Sequence, residues 1–154
     1  MSLRLEMIEQ EIEEEERLVE AVKETPEKIH KLAKKFARKY LPKLLVTTDP
    51  EYLKWAIEND YTVLKKLAEY KRKAERGELT TRQKGVYKLT KRVLKLLRKF
   101  SSFIKPFAED FLTPEFITES IEETKPELAP ILKTPEGRKW LESNIRDIRA
   151  LLGW

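Results

Sequence analysis

Two arginines and a lysine near the middle of the chain have a spacing that suits a phosphate-binding site. Arg72 and Arg76 are four residues apart, so both guanidinium groups leave the same face of a helix. Each guanidinium has planar donors that fit two phosphate oxygens at once. Lys84 follows a glycine-containing turn, which lets it fold back towards the arginines as a third cation. The sequence therefore predicts a site for a triphosphate or for clustered backbone phosphates. The alternative is a pair of ordinary surface arginines tied to Glu69 and Glu75.

Further cations and aromatic rings surround this motif. The cations are expected to supply supporting charge, and the rings are expected to offer faces on which a base can stack. The predicted members are Lys71, Arg82 and Lys88 for charge, and Tyr70 and Tyr87 for stacking, with Trp55 and Tyr61 nearby.

A basic ridge follows on the next predicted helix. Its cations repeat at spacings of four, three, four and three residues, which places them on one helix face. At ~1.5 Å per residue the ridge is about 20 Å long. We expect it to follow template phosphates in a sequence-independent and salt-sensitive manner. Its members are Lys84, Lys88, Lys91, Lys95 and Arg98.

The net charge of +5 hides a strong segregation along the 154 residues. Residues 1–25 carry a net charge of −6, residues 26–108 carry +15, and residues 109–154 carry −4. A field of the sign found in the middle of the chain attracts polyanions. The alternative is the solvated surface of a thermophilic helical protein. Such surfaces intersperse both signs, whereas residues 71–99 have twelve basic side chains against two acidic ones.

The composition excludes several kinds of active site. The chain has no cysteine and one histidine, which excludes disulfides, thiolate metal sites and multi-histidine metal sites. None of its four glycines forms a phosphate loop or a dinucleotide-binding motif. We interpret His30 as a boundary or surface residue and Glu13–Glu16 as a solvated run of acids. The four aspartates show no pairing that would indicate a catalytic site. We therefore expect a non-catalytic, cytoplasmic protein with no metal, no bound cofactor, no secretory signal and no membrane span.

The sequence predicts one all-α domain. Helix-start signals recur four times as a capping residue, a proline and a glutamate. The cap oxygen accepts an unpaired amide proton, and the acid complements the helix dipole. Alternating strand patterns are absent. We expect about five to seven helices over residues 26–154, with residues 1–25 as an acidic, mobile helix or tail. The four signals are Thr25-Pro26-Glu27, Asp49-Pro50-Glu51, Thr113-Pro114-Glu115 and Thr134-Pro135-Glu136.

Two local expectations follow from the same patterns. The helix that begins at Pro26 should end at Tyr40-Leu41-Pro42, because the residue before a proline is pushed out of the helical region. One apolar core stripe should run from Pro50 towards Gly77. The stripe comprises Leu53, Ile57, Leu64 and Ala68.

The spacing Arg72-x3-Arg76-x7-Lys84 resembles the nucleotide-binding segment in the C-terminal domain of the large, non-catalytic subunit of archaeal and eukaryotic primases. The glycine and apolar residue that tend to follow the lysine in that family are present as Gly85-Val86. Residues 112–117 and 140–148 are similar to a capped helix and a closing helix of that domain, and the resemblance covers about residues 41–154. The family's domain is organised around a four-cysteine iron–sulfur cluster, and this chain has no cysteine. In this respect and in size the chain resembles the small third subunit of some archaeal primases, which looks like a cluster-free version of that domain.

This resemblance implies a non-catalytic accessory subunit that supports RNA primer synthesis in DNA replication. The implied partners are the catalytic and large primase subunits in a heterotrimer, the single-stranded DNA template and the primer 5′ end. Arg72, Arg76 and Lys84 would then hold the triphosphate of the initiating nucleotide, which is ATP or another NTP.

Two other hypotheses remain open from the residues. One is a structural helical subunit that binds nucleic acid without nucleotide specificity, such as a CRISPR effector small subunit or a viral coat-like protein. The other is a protein–protein adaptor whose acidic first helix docks on a basic partner.

Overall fold

The computed structural model describes residues 10, 13, 26–45 and 49–154. The predicted acidic helix or tail at residues 1–25 therefore lies almost wholly outside the described residues. Within them the chain forms a single all-α domain without strands, which confirms the predicted fold class. The helices are α1 (Pro26–Leu45), α2 (Pro50–Glu58), α3 (Val63–Glu75), α4 (Thr81–Lys99), α5 (Ser101–Ile104), α6 (Ala108–Phe111), α7 (Pro114–Thr124), α8 (Ala129–Leu132) and α9 (Pro135–Leu152), with 3-10 turns at Lys105–Phe107 and Pro126–Leu128.

Side-chain caps confirm three of the predicted helix starts. Asp49 caps α2, Thr113 caps α7 and Thr134 caps α9. In each case the side-chain oxygen accepts a backbone amide proton of the first turn, at 3.0 to 3.1 Å. A proline occupies the start of each of these helices, where its missing amide proton removes no hydrogen bond.

Helix α1 continues through Pro42 to Leu45, so the predicted end at Tyr40-Leu41-Pro42 is wrong. A proline within a helix removes a hydrogen bond and costs about 3 kcal/mol. However, the side chains of Tyr40, Leu41 and Leu44 are fully buried, and each such burial contributes roughly 1.5–3 kcal/mol. Burial on both sides of Pro42 therefore outweighs the lost hydrogen bond.

The apolar stripe predicted along α2 and α3 is interrupted. A turn at Asp60, whose φ is +48°, joins these helices. In α3 the buried residues are Val63 and Lys66, whereas Leu64 and Ala68, which were expected to face the core, are exposed. The prediction is therefore correct only for its α2 half.

Buried hydrogen bonds fix α3 on the C-terminal helix α9. The fully buried Asn144 accepts the amide proton of Val63 at 2.9 Å and donates to the Trp140 carbonyl at 2.9 Å. The Trp140 indole in turn donates to the Tyr61 carbonyl at 3.1 Å. These bonds anchor the N-terminal end of α3, from which α3 and α4 extend as a helical hairpin.

Candidate nucleic-acid interface

The turn between α3 and α4 is closed by the backbone. The Gly77 amide donates to the Ala74 carbonyl at 3.1 Å, and the Glu78 amide donates to the Lys73 carbonyl at 2.8 Å. Gly77 has a φ of +67°, a left-handed conformation that glycine adopts without steric cost. The glycine-containing turn that the sequence predicts before Lys84 is therefore confirmed.

A capping box starts α4. Thr80 accepts the Gln83 amide proton, and the Gln83 side chain accepts the Thr80 amide proton, both at 3.1 Å. This arrangement satisfies two amide groups that the helix itself leaves unpaired. It fixes Lys84 in the first turn of α4, directly after the reversal of the chain.

A pocket of about 380 Å³ lies between the end of α3 and the beginning of α4. No carboxylate is present among its lining residues, whereas three of them are lysines. Spacings of four and three residues place these lysines on one face of α4. The pocket is lined by Ala74, Gly77, Leu79, Lys84, Tyr87, Lys88 and Lys91.

An aromatic ring forms part of this pocket. The Lys91 ammonium lies 4.2 Å from the centroid of the Tyr87 ring, within the range of a cation–π contact. The Tyr70 ring meets the Tyr87 ring edge-on, with centroids 6.3 Å apart. The structure therefore brings together the predicted residues Tyr70, Tyr87, Lys84 and Lys88, with Lys91 from the predicted ridge.

Arg72 and Arg76 do not line this pocket. Arg72 and Arg76 are each two residues from the pocket-lining Ala74, and residues two apart in a helix lie on different faces. The shared helix face of the two arginines stays a prediction. Of the three predicted phosphate contacts, only Lys84 lines the pocket.

A second cluster forms around Glu69 on α3. Tyr61 donates a hydrogen bond to Glu69, and the Lys73 ammonium lies 3.3 Å from the carboxylate. The hydrogen bond from Tyr61 lowers the pKa of Glu69 most, and Lys73 and the charge of Arg72 lower it further. Burial and then the hydrogen bond to Glu69 raise the pKa of Tyr61. The Glu69 carboxylate is therefore negatively charged, and Lys73 and Tyr61 are its binding partners.

Most of the predicted cations form no ion pair within 4 Å of a residue that the structure describes. Neither arginine of the motif forms an ion pair with Glu69 or Glu75, although the charge of Arg72 lowers the pKa of Glu69. Their charge therefore remains available to an anion. The cations concerned are Lys71, Arg72, Arg76, Arg82, Lys84, Lys88, Lys91 and Lys95.

The predicted aromatic faces form two separate pairs. Besides Tyr70 and Tyr87, the rings of Trp55 and Tyr61 lie 5.0 Å apart. Tyr52, which the sequence did not single out, extends this second pair at 5.8 Å from Trp55. Burial raises the pKa of Tyr52 to about 12. Trp55 itself is 46% exposed, so an unusually large aromatic surface faces solvent.

Arg98 forms hydrogen bonds within the fold. Its Nε and Nη2 atoms donate to the Leu151 carbonyl near the end of α9, at 3.1 and 2.8 Å. A cation at the end of a helix also complements the helix dipole. The structure therefore gives Arg98 a partner that the ridge prediction did not include, and the open part of the ridge is Lys84, Lys88, Lys91 and Lys95.

Replacing Arg98 with alanine should therefore act on stability. We expect a loss of about 1 kcal/mol, because hydrogen bonds from charged groups contribute about 1.5–3 kcal/mol when shielded and this side chain is exposed. Thermal unfolding should show a fall in Tm of about 2–4 °C. The matched control is Lys95→Ala, which should leave Tm unchanged because Lys95 is exposed and forms no ion pair with a described residue. Equal effects of the two variants on Tm would contradict the assigned role of Arg98.

The described part of the chain has no group of three or more histidine, cysteine, aspartate or glutamate side chains arranged to hold a metal ion. His30 packs edge-on against Phe107 at 4.7 Å and lies 3.9 Å from Asp110, at the boundary position expected for it. Among the described helices, none is both long and apolar enough to cross a membrane.

Comparison of the chain with protein-family models, with curated proteins and with solved structures finds no match.

Proposed function

We propose that this protein is a non-catalytic subunit that binds nucleotide phosphates and single-stranded nucleic acid through the α3–α4 hairpin. The observation that carries the proposal is the pocket itself, where three lysines surround an aromatic ring without a carboxylate in the wall. Ammonium groups bind phosphates, and aromatic faces stack bases without sequence preference. A small site that combines both chemistries suits one nucleotide or the end of a strand.

The charge of the ligand favours a 5′-triphosphate over an internal phosphate. Lys84, Lys88 and Lys91 face one pocket, and a triphosphate concentrates up to four negative charges in the space of one nucleotide. Electrostatic attraction grows with the product of the charges. The terminal triphosphate therefore gains more from this pocket than any single backbone phosphate does.

The resemblance to the primase large-subunit domain refines the proposal. We propose that the chain is an accessory subunit of a primase, held by the catalytic and large subunits. It would present the initiating nucleotide or the primer 5′ end and contact the template through the α4 lysines. The motif of Arg72, Arg76 and Lys84 supports this role, and the arginines would contact phosphates outside the pocket.

One observation favours a second candidate, a structural nucleic-acid binder without nucleotide specificity. Arg72 and Arg76 lie outside the pocket wall, whereas the lysines continue along α4 to Lys95. A row of cations that extends past a small pocket suits a polymer, and a polymer binder needs no 5′-triphosphate.

The deciding measurement is a titration with labelled ATP and with a short single strand that bears or lacks a 5′-triphosphate, at two salt concentrations. We expect preference for the triphosphate. Lys84→Ala/Lys88→Ala should reduce that affinity about 100-fold, because each charge-assisted contact contributes roughly 1.5–3 kcal/mol and 1.4 kcal/mol is tenfold in affinity. Arg72→Ala/Arg76→Ala tests separately whether the arginines reach the same ligand.

The control is Lys54→Ala/Lys139→Ala, which removes the same charge at exposed sites outside the pocket. Equal binding of both strands, without binding of ATP, would replace the nucleotide-binding proposal with the structural binder. An unchanged triphosphate affinity in the lysine variant would remove the pocket from the proposal.

A further inference from the structure

A second basic groove lies on a different pair of helices, between α1 and α7. It has a volume of about 470 Å³, and all eight residues that line it are polar or charged. The sequence analysis predicted no groove there. The lining residues are Lys31, Lys34, Lys35, Arg38, Lys39, Ser120, Glu123 and Thr124.

The groove has a surplus of positive charge. Its one carboxylate, Glu123, is paired with Arg38 at 3.3 Å. Lys31, Lys34 and Lys35 are exposed and form no ion pair within 4 Å of a described residue. The buried Nε atom of Arg38 also finds no hydrogen-bond acceptor in the part of the chain that the structure describes. Three cations and a buried donor thus meet at one groove.

The acidic face of α7 does not cancel this charge. Glu115 is paired with Arg138, and Glu122 is paired with Lys133 at 2.9 Å. Each of these carboxylates already has its own cation. Lys31, Lys34 and Lys35 form no ion pair with these carboxylates or with Glu119 of α7.

The chemistry of the lining indicates the class of ligand. Interfaces between proteins bury an apolar core within a polar rim, and this groove has no apolar lining residue. Protein–nucleic-acid interfaces are more polar and more positively charged. Lys31, Lys34 and Lys35 cover about 6 Å along α1 at ~1.5 Å per residue, and one strand of a duplex has a phosphate about every 3.4 Å along the axis. This spacing lets the three lysines contact successive phosphates of one strand.

We propose that the α1–α7 groove is a second binding site for the phosphate backbone of nucleic acid. It acts together with the α3–α4 hairpin, so the chain holds one strand at two places. A strand long enough to reach both sites gains affinity through the high effective concentration of the second site. A strand confined to one site does not.

The test is the salt dependence of binding to a 30-nucleotide single strand, measured by fluorescence anisotropy for Lys31→Ala/Lys34→Ala/Lys35→Ala. Each phosphate contact contributes about 0.7 to the slope of log affinity against log salt for single strands. Loss of three contacts should therefore reduce the slope by about 2. The affinity for ATP and for a 5′-triphosphorylated tetranucleotide should stay unchanged, because these ligands occupy the hairpin alone.

The matched control is Lys54→Ala/Lys139→Ala/Arg146→Ala, which removes the same charge at exposed positions outside both surfaces. A slope that changes equally in both triple variants would overturn the proposal. The proposal would also be overturned by an α1 variant that binds the strand normally but no longer binds a polyglutamate peptide. The groove would then be a binding site for an acidic protein. The hairpin variant Lys84→Ala/Lys88→Ala separates the two proposals, because only that variant should lose triphosphate binding.

Discussion

Replacing Gly137 with alanine should lower the free energy of unfolding by about 2–3 kcal/mol, since overpacking a tight site costs about 1–3 kcal/mol or more. Gly137 is buried in the first turn of α9, against the end of α8. An added Cβ would collide with the Ile131 carbonyl oxygen and lie 2.7 Å from the Leu132 carbonyl oxygen. Both obstacles are backbone atoms, which cannot rotate away as a flexible side chain can. The helix preference for alanine, roughly 1 kcal/mol, offsets only part of this cost.

Chemical denaturation of the variant measures this loss, and Gly77→Ala is its matched control. The control position has open space around its added Cβ, so only its φ of +67° opposes the substitution. We expect the control to lose about 1 kcal/mol from the left-handed conformation. Equal losses for the two variants would show that the contact between α8 and α9 relaxes without cost. That outcome would contradict the close approach as the reason for glycine at position 137.

The fold class and the helix starts could be predicted because they depend on local chemistry. A cap such as Asp49, Thr113 or Thr134 bonds to amide groups two or three residues away, so the interaction is complete within one turn. The end of α1 depends instead on distant packing. Pro42 is a strong local signal to stop, and the burial of Leu44 overrides it. No residue near Pro42 in the sequence reveals that outcome.

The buried face of α3 shows the same limit. Leu64 and Ala68 have the residue types and the spacing of a core stripe, yet they are exposed. The reversal at Asp60 and the bonds of Asn144 set the rotation of α3 about its axis, and that rotation buries Lys66. Hydropathy alone predicts that Leu64 and Ala68 are buried and that Lys66 is exposed, because a lysine is rarely buried without a partner charge.

The same rotation explains why the candidate site was predicted only in part. The sequence identified Lys84, Tyr87 and Lys88, which lie together because α4 begins just after the turn. It also placed Arg72 and Arg76 on one helix face, but it could not show which flank of α3 that face would occupy. The positive charges of the α1 lysines can be read directly from the sequence. The groove beside them cannot, because it depends on how α7 packs against α1.

The free energy of unfolding should contain a contribution from Lys66 that increases with pH. Lys66 is 5% exposed, and its Nζ atom donates to the Leu44 carbonyl at 3.3 Å. Burial lowers the pKa of Lys66 from 10.5 to about 8, because desolvation disfavours the charged form. Between pH 8 and 10.5 the unfolded chain therefore binds a proton that the folded chain lacks. Stability rises with pH wherever the unfolded state binds more protons.

Comparison with Lys66→Met isolates this contribution, because methionine keeps the length of the side chain without its charge. One pKa unit corresponds to about 1.4 kcal/mol, so the stability difference between the methionine variant and the wild type should shift by about 2–3 kcal/mol from pH 7 to pH 10. The shift favours the wild type at the higher pH. Above pH 10 the raised pKa values of Tyr52 and Tyr61 act with the opposite sign, since the folded state then binds more protons. Both proteins share these tyrosines, so their effect cancels in the difference.

Urea denaturation at pH 7, 8, 9 and 10 measures this shift, and Lys65→Met serves as the control because the Lys65 side chain is exposed. The control should differ from the wild type by the same amount at every pH. A constant difference for Lys66→Met would mean that the ammonium stays charged inside the folded protein, held by the Leu44 carbonyl. A shift confined to Lys66→Met would instead show that α3 buries a neutral amine at alkaline pH. The measurement therefore tests the orientation of α3 that buries Lys66.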